Sequence, residues 1–182
     1  IVIVSAKRTP IGKFGGALSS VSAVDLGVVA SKAAIADAGI AADSIDQAIF
    51  GNVLQANNGQ NVARQIALKS GLADESTAMT INEVCGPGLK AVRLGQTAIA
   101  MGDADTVLVG GTENMSQGPF YAPNMRFGKK LGDVSFVDGM MRDGLADAFS
   151  GEPMGMTAEN VATEYQVSRE DQDAFALRSH QR

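Results

Sequence analysis

The chain contains one cysteine, one histidine, no tryptophan and two tyrosines among its 182 residues. A lone Cys85 closes no internal disulfide and builds no cysteine-rich metal site, which excludes a disulfide scaffold and a structural zinc module. So few aromatic platforms argue against single-strand nucleic-acid binding. Charge argues the same way, because 15 lysines and arginines against 20 aspartates and glutamates leave a formal net charge of -5, with no general attraction for a polyanion. No apolar run approaches the roughly 18 residues of a membrane-spanning helix, and the patch from Ile1 to Val4 is too short for a signal-peptide core. Neither nucleic acid nor membrane is an expected partner, and the expected compartment is the cytoplasm.

What is present describes a folding chain. A hydrophobic share of 45% with 19% charged residues and a mean hydropathy of +0.05 supply a core for about one domain. The 21 glycines cluster in short motifs, Gly15-Gly16, Gly86-Pro87-Gly88 and Gly110-Gly111, as tight turns near a ligand require.

Ile1 to Ala6 reads as a short buried strand and Lys7 to Ser20 as a loop. Ser22 with Asp25 forms a capping box that opens a helix, closed by Gly39. Asp46 to Leu54 reads as a strand, and Gln60 to Ser70 as a helix ended by Gly71. Ala78 to Val84 reads as a strand running straight into Cys85, followed by a helix from Leu89 to Met101 and a strand from Thr106 to Val109. This alternation predicts an α/β fold with a mixed, mainly parallel sheet over residues 1–111. Residues 112–153 carry prolines, glycines and scattered methionines without a clear period, too long for an ordinary connection. Helices resume over residues 154–182, one from Thr157 to Tyr165 and one opened by the capping box Ser168 with Asp171. A chain that stops inside that amphipathic helix reads as incomplete.

Cys85 sits between a strand and a helix. Helix N-termini present unpaired amides and the positive end of the dipole, which together favour a thiolate. Glycines at 86 and 88 keep side chains away from a substrate carbonyl and offer backbone N–H groups to an oxyanion. Spacing alone leaves two readings open, a nucleophile or a small buried hydrophobe. Gly86-x-Gly88-x-x-Ala91 also fits a loose dinucleotide fingerprint. That motif wants an acidic residue at the end of the next strand, whereas Asp103 and Asp105 precede the strand and Gly110-Gly111 follow it. Gly12-Lys13 is no phosphate-binding loop, since Phe14 stands where a hydroxyl belongs.

Several ordered motifs resemble the N-terminal part of the thiolases, acetyl-CoA acetyltransferases in particular. They are Ala6-Lys7-Arg8-Thr9-Pro10-Ile11-Gly12, Phe50-Gly51-Asn52-Val53, Ala63-Arg64-Gln65, Asn82-Glu83-Val84-Cys85, Gly110-Gly111-Thr112-Glu113-Asn114-Met115-Ser116 and Met154-Gly155-Met156-Thr157-Ala158-Glu159-Asn160-Val161. The resemblance implies the thiolase fold, with residues 112–153 as the start of a loop domain over the coenzyme. It implies that Cys85 is acetylated by acetyl-CoA and that a second acetyl-CoA then condenses to acetoacetyl-CoA, with thiolysis as the reverse. It further implies Leu145 and Met154 as substrate-binding residues, no metal or cofactor beyond the coenzyme A thioester substrates, and a homodimer or homotetramer. Arg126, Lys129 and Lys130 form the one local basic cluster, suited to an anionic coenzyme, a subunit contact or a solvated loop.

Two positions depart from the family. Pro153 replaces a frequent histidine, and Pro87 stands where serine or alanine is common, which leaves a degradative 3-ketoacyl-CoA thiolase open as an alternative. A non-catalytic acyl-CoA-binding module is a third reading. The family's catalytic bases, a His in Gly-His-Pro and a Cys in Cys-x-Gly-Gly-Gly, do not occur here, and His180 lies among polar neighbours near the chain's end. These residues alone are therefore expected to be inactive.

Overall fold

The computed structural model describes residues 1–182, and its backbone contacts form two units, Ile1–Met140 and Met141–Arg182. In the first unit Ala23–Ala38 forms α1, Gln47–Gly51 β1, Val62–Ser70 α2, Thr77–Ile81 β2, Pro87–Met101 α3 and Val107–Gly111 β3. The three strands make a wholly parallel sheet in the order β2-β1-β3. They run in phase, so that Gly51 lies between Ile81 and Gly111. The antiparallel component expected of a mixed sheet is confined to a separate two-residue pair, Phe120–Tyr121 (β4) with Val137–Asp138 (β5).

The central strand decides where the layers go. Side chains alternate across a strand, and Ala48 and Phe50 enter one apolar cluster with Val24 and Ile35 of α1 and Val62 and Ile66 of α2. Ile49 and Gly51 face the other way, toward α3, whose Gly95 leaves room for Val109 and Val107 of β3. Both faces of β1 are therefore covered, as its uninterrupted burial from Ala48 to Gly51 reflects.

Local signals set the helix ends. Ser22 Oγ accepts the Asp25 N–H at 3.0 Å, and α1 stops at Gly39 in the left-handed region with φ 67°. Asn61 Oδ1 accepts the Arg64 N–H at 3.2 Å to open α2, which closes at Gly71. β1 and β2 stop short of the runs that mark them, where the Asn52 side chain turns to Thr112 and Glu113 and Asn82 accepts the Val84 N–H, whereas β3 runs two residues past Val109 to Gly111.

The N-terminal segment corrects the expectation of a buried strand. Ile1 to Val4 pair with no strand and are 64–80% exposed. The segment is held to the end of α1 through Asp37, which takes the Ser5 hydroxyl proton at 2.8 Å and pairs with Lys7 at 2.9 Å. Branched apolar residues suit a strand, but burial and pairing come from neighbours, and β1, β2 and β3 pair only among themselves.

In the second unit a single π turn, Met141–Leu145, leads to a loop closed by an antiparallel bridge between Ala146 and Pro153. Asp147 Oδ1 accepts the N–H groups of Phe149 at 3.0 Å and Ser150 at 2.7 Å inside that loop. Met154–Glu164 forms α4 and Arg169–Gln181 forms α5. The first begins three residues before the expected Thr157, because extended Pro153 serves as its N-cap, a position that needs no N–H. Ser168 opens the second as expected, accepting the Asp171 N–H at 3.1 Å. No helix is long and apolar enough to cross a membrane.

Three aspartates of the first unit are held below the ordinary aspartate value of 3.8: Asp46 by the backbone N–H groups of Thr106 and Asp105, Asp25 by Lys69 and Ser22, Asp37 by Lys7 and Ser5. A carboxyl whose pKa is lower folded than unfolded binds its proton more weakly in the folded state, so its stabilisation is full above 3.8 and is lost as pH falls through the lowered values. The urea midpoint of the protein should accordingly drop as pH falls below that value, and Asp46→Asn should remove part of the dependence while lowering the midpoint at neutral pH.

Candidate active site

Between β2 and α3 the chain turns on itself. Asn82 Oδ1 accepts the Val84 N–H at 2.8 Å, and the Gly86 N–H donates to Glu83 O at 3.0 Å. These bonds force Val84 to φ 50°, the left-handed region that a β-branched residue rarely enters, at a cost of about 1–3 kcal/mol. Cys85 follows directly and is exposed. It is reached through a turn and does not continue the strand, and its exposure excludes the small buried hydrophobe. Lys90 Nζ and Glu83 Oε1 pair at 3.1 Å across the turn, a surface contact worth about 0–1 kcal/mol.

The helix that follows is built to leave its positive end open. Its N-cap is Gly86, which has no side chain to satisfy the first amides, and its first turn carries no acidic residue. The first N–H groups of α3 therefore take no side-chain cap, and the Glu83 carboxylate, with Oε2 3.7 Å from where a Cβ on Gly86 would stand, lies near that end beside its Lys90 partner. Pro87 occupies the first helical position, where a missing N–H costs nothing and the fixed φ suits the helix. The helix thus begins two residues before the expected Leu89. One expectation about the amides changes: Gly86 N–H is committed to Glu83 and is unavailable to an oxyanion.

Three glycines set how closely α3 approaches the sheet. A Cβ on Gly51 would lie 2.6 Å from Gly88 N and from the Pro87 carbonyl carbon. A Cβ on Gly111 would lie 3.2 Å from Gly88 Cα. The start of α3 therefore rests on bare backbone at the C-terminal ends of β1 and β3, the edge at which parallel α/β sheets place their ligands.

Immediately beyond that contact two further residues join the strand exits, and spacing gave no signal for them. Asn52 is fully buried; its backbone N–H donates to Ile81 O at 3.0 Å, and its Nδ2 donates to Thr112 O at 2.9 Å and to Glu113 Oε1 at 2.8 Å. Half-buried Glu113 in turn accepts the N–H groups of Val53 at 2.8 Å and Leu54 at 3.1 Å. The available cue was Asn52 after the apolar run of β1, but its partner Glu113 lies 61 positions away between Thr112 and Asn114. Asn114 Nδ2 reaches Ser19 O at 3.1 Å and Val21 O at 2.6 Å, and Ser116 Oγ accepts the Gly15 N–H at 2.9 Å.

The other candidates fall elsewhere. Leu145, half-buried, closes the π turn, and Met154 begins α4. The bridge between Ala146 and Pro153 makes them neighbours at the base of one loop in the second unit, whereas Cys85 belongs to the first. Arg126, Lys129 and Lys130 are all exposed in the irregular stretch between β4 and β5, and His180 is exposed on α5.

A family model described as thiolase, N-terminal domain, matches residues 1–182. The chain is 48% identical over 182 residues to a probable acetyl-CoA acetyltransferase of Dictyostelium discoideum, covering all of this chain and 44% of that protein. It is 50% identical over 182 residues to a probable acetyl-CoA acyltransferase of Staphylococcus aureus, covering all of this chain and 46% of that protein. Among solved structures, the Acat5 thiolase from Ascaris suum in complex with coenzyme A superposes with a TM-score of 0.94 at 43% identity, over 98% of this chain and 46% of that one. The chain thus spans about half the length of the curated relatives it matches.

The glycine contact yields a direct test. Gly51→Ala should destabilise the protein by about 1–3 kcal/mol, the usual cost of forcing a methyl into packed backbone, and should slow iodoacetamide alkylation of Cys85, measured by peptide mass spectrometry on folded protein.

Proposed function

The chain belongs to the thiolase family, and on that premise we propose that the protein it represents transfers an acetyl group through Cys85, condensing two acetyl-CoA molecules to acetoacetyl-CoA and coenzyme A and catalysing thiolysis in reverse. The observation that carries this reading is the exposed Cys85 thiol at the uncapped, acid-free start of α3, in a chain matched over its whole length by a thiolase model.

In this mechanism the Cys85 thiolate attacks the thioester carbonyl of acetyl-CoA. The carbon–sulfur bond to the coenzyme breaks, and the coenzyme thiolate leaves and takes up a proton. The product is an acetyl thioester on Cys85, which keeps the acyl group reactive. A base then removes a proton from the α-carbon of a second acetyl-CoA, and the carbanion attacks the Cys85-bound carbonyl. The new carbon–carbon bond forms as the Cys85 thiolate departs. Helix N-termini favour a thiolate both as attacker and as leaving group, and Cys85 stands one residue before the N-cap of α3. Glycines at 86 and 88 leave the approach to the thiol free of side chains.

Residues 112–153 are proposed as the start of the loop domain over the coenzyme, and Leu145 and Met154 as apolar contacts to the pantetheine and acyl groups. Coenzyme A thioesters are the proposed substrates without a further cofactor, and the proposed assembly is a homodimer or homotetramer. The coenzyme A in the Ascaris thiolase and the acetyl-CoA in the relatives' names support the choice of substrate. Cys85 and His180 are the only cysteine and histidine here, so a polypeptide of these residues alone would hold the nucleophile without a cysteine or histidine base for the α-carbon, and we expect it to be inactive. Pro153 and Pro87, which depart from the residues frequent in the family, keep thiolysis of longer 3-ketoacyl-CoA esters as a second reading.

Brief exposure of the whole protein to acetyl-CoA should add one acetyl group to the intact mass, mapped to Cys85 and absent from Cys85→Ala. An unchanged mass would overturn the proposal, and steady-state rates on acetoacetyl-CoA against a longer 3-ketoacyl-CoA separate the two readings.

A further inference from the structure

We propose that Asn52 and Glu113 are positioning residues for the Cys85 nucleophile, locking the exits of β1 and β3 together so that the start of α3 is held at one height above the sheet. The inference rests on Cys85 being the nucleophile. The Asn52 side chain donates to Thr112 O at 2.9 Å and Glu113 Oε1 at 2.8 Å, and Glu113 returns its carboxylate to the N–H groups of Val53 and Leu54. The loop after β3 is thereby tied to the loop after β1 by four hydrogen bonds. These bonds begin one residue past Gly51 and Gly111, the two glycines against which Gly88 packs. The same Asn52 holds the exit of β2 through its N–H on Ile81 O at 3.0 Å, four residues before Cys85. Three strand ends and the helix start thus share one hub.

Stability alone does not account for this residue. Asn52 Oδ1 is buried with no hydrogen-bond partner from the protein, and a buried polar atom without a protein partner adds less to folding than a paired one. An arrangement that accepts that cost gains a fixed relation between two loops, and a displacement of about 1 Å at a nucleophile is enough to slow its reaction a hundredfold.

The test is the pH profile of Cys85 alkylation by iodoacetamide in the whole protein, with kcat and KM for acetyl-CoA measured alongside. Asn52→Ala and Glu113→Gln should lower kcat about ten- to a hundredfold, while the high-pH plateau of alkylation, a reaction that needs no docked substrate, should stay close to that of the unsubstituted protein. The profile midpoint should stay in place, and KM should move less than about twofold. Should either variant fail to fold, Asn52→Ser, which keeps a donor, and Glu113→Asp, which keeps the carboxylate, should show smaller losses of the same kind. Ser31→Ala removes a buried hydroxyl bonded to Gly27 O inside α1, and should cost stability while leaving kcat unchanged. Folded Asn52 and Glu113 variants that match Ser31→Ala, or that shift only the midpoint, would overturn the proposal. Acetylation of the unsubstituted protein with kcat unchanged in both variants would overturn the positioning claim alone, whereas absence of acetylation would overturn the proposed function and this inference with it.

Discussion

Backbone touches backbone where Gly88 meets Gly51 and Gly111, and the rest of the site depends on that approach. A helix can rest on a sheet this closely only where the strands carry no Cβ, since Pro87 already brings its own Cβ to within 2.7 Å of where one on Gly51 would stand. The in-phase register of β1 and β3 brings Gly51 and Gly111 side by side, so two adjacent strands present one bare step. On that step lies the first turn of α3, with its open amides and positive dipole end. The turn that connects β2 to it is short enough to push Val84 into the left-handed region.

The chemistry follows from that geometry. An acyl-transfer nucleophile must be exposed, must be stabilised as an anion and must sit where a thioester can approach. Cys85 meets the first through its place on the turn, and in the proposed mechanism the start of α3 and the glycines on either side of Pro87 serve the other two. That proline fits the first helical position without loss. Residues that follow β3 extend the same logic outward: Thr112 bonds Ala23 O, Glu113 the loop after β1, Asn114 the carbonyls of Ser19 and Val21, and Ser116 the Gly15 N–H. Four nearby side chains thus organise the surroundings of the strand ends, which gives the Gly110 to Ser116 motif a physical purpose beyond its likeness to a family.

Much of this was legible in advance wherever the signal is local. Capping is settled within one helical turn, so Ser22 with Asp25, Gly39, Gly71 and Ser168 with Asp171 all stand where the sequence puts them. The central strand was legible because an apolar run buried on both faces has few alternatives. Ile1 to Val4 have the same composition but no strand beside them, so their composition misled.

Residue order by itself determined the α/β alternation, the helix caps at Ser22, Gly39, Gly71 and Ser168 and the placing of a lone thiol between a strand and a helix, because each depends on neighbours a few positions away. Only the tertiary structure decided that Cys85 is exposed, that Gly86 N–H is spent on its own turn, and that Asn52 and Glu113 join two strand exits. The physical reason is that burial and hydrogen-bond partnership belong to pairs of groups brought together by the sheet, and Asn52 and Glu113 become neighbours only once β1 and β3 lie side by side.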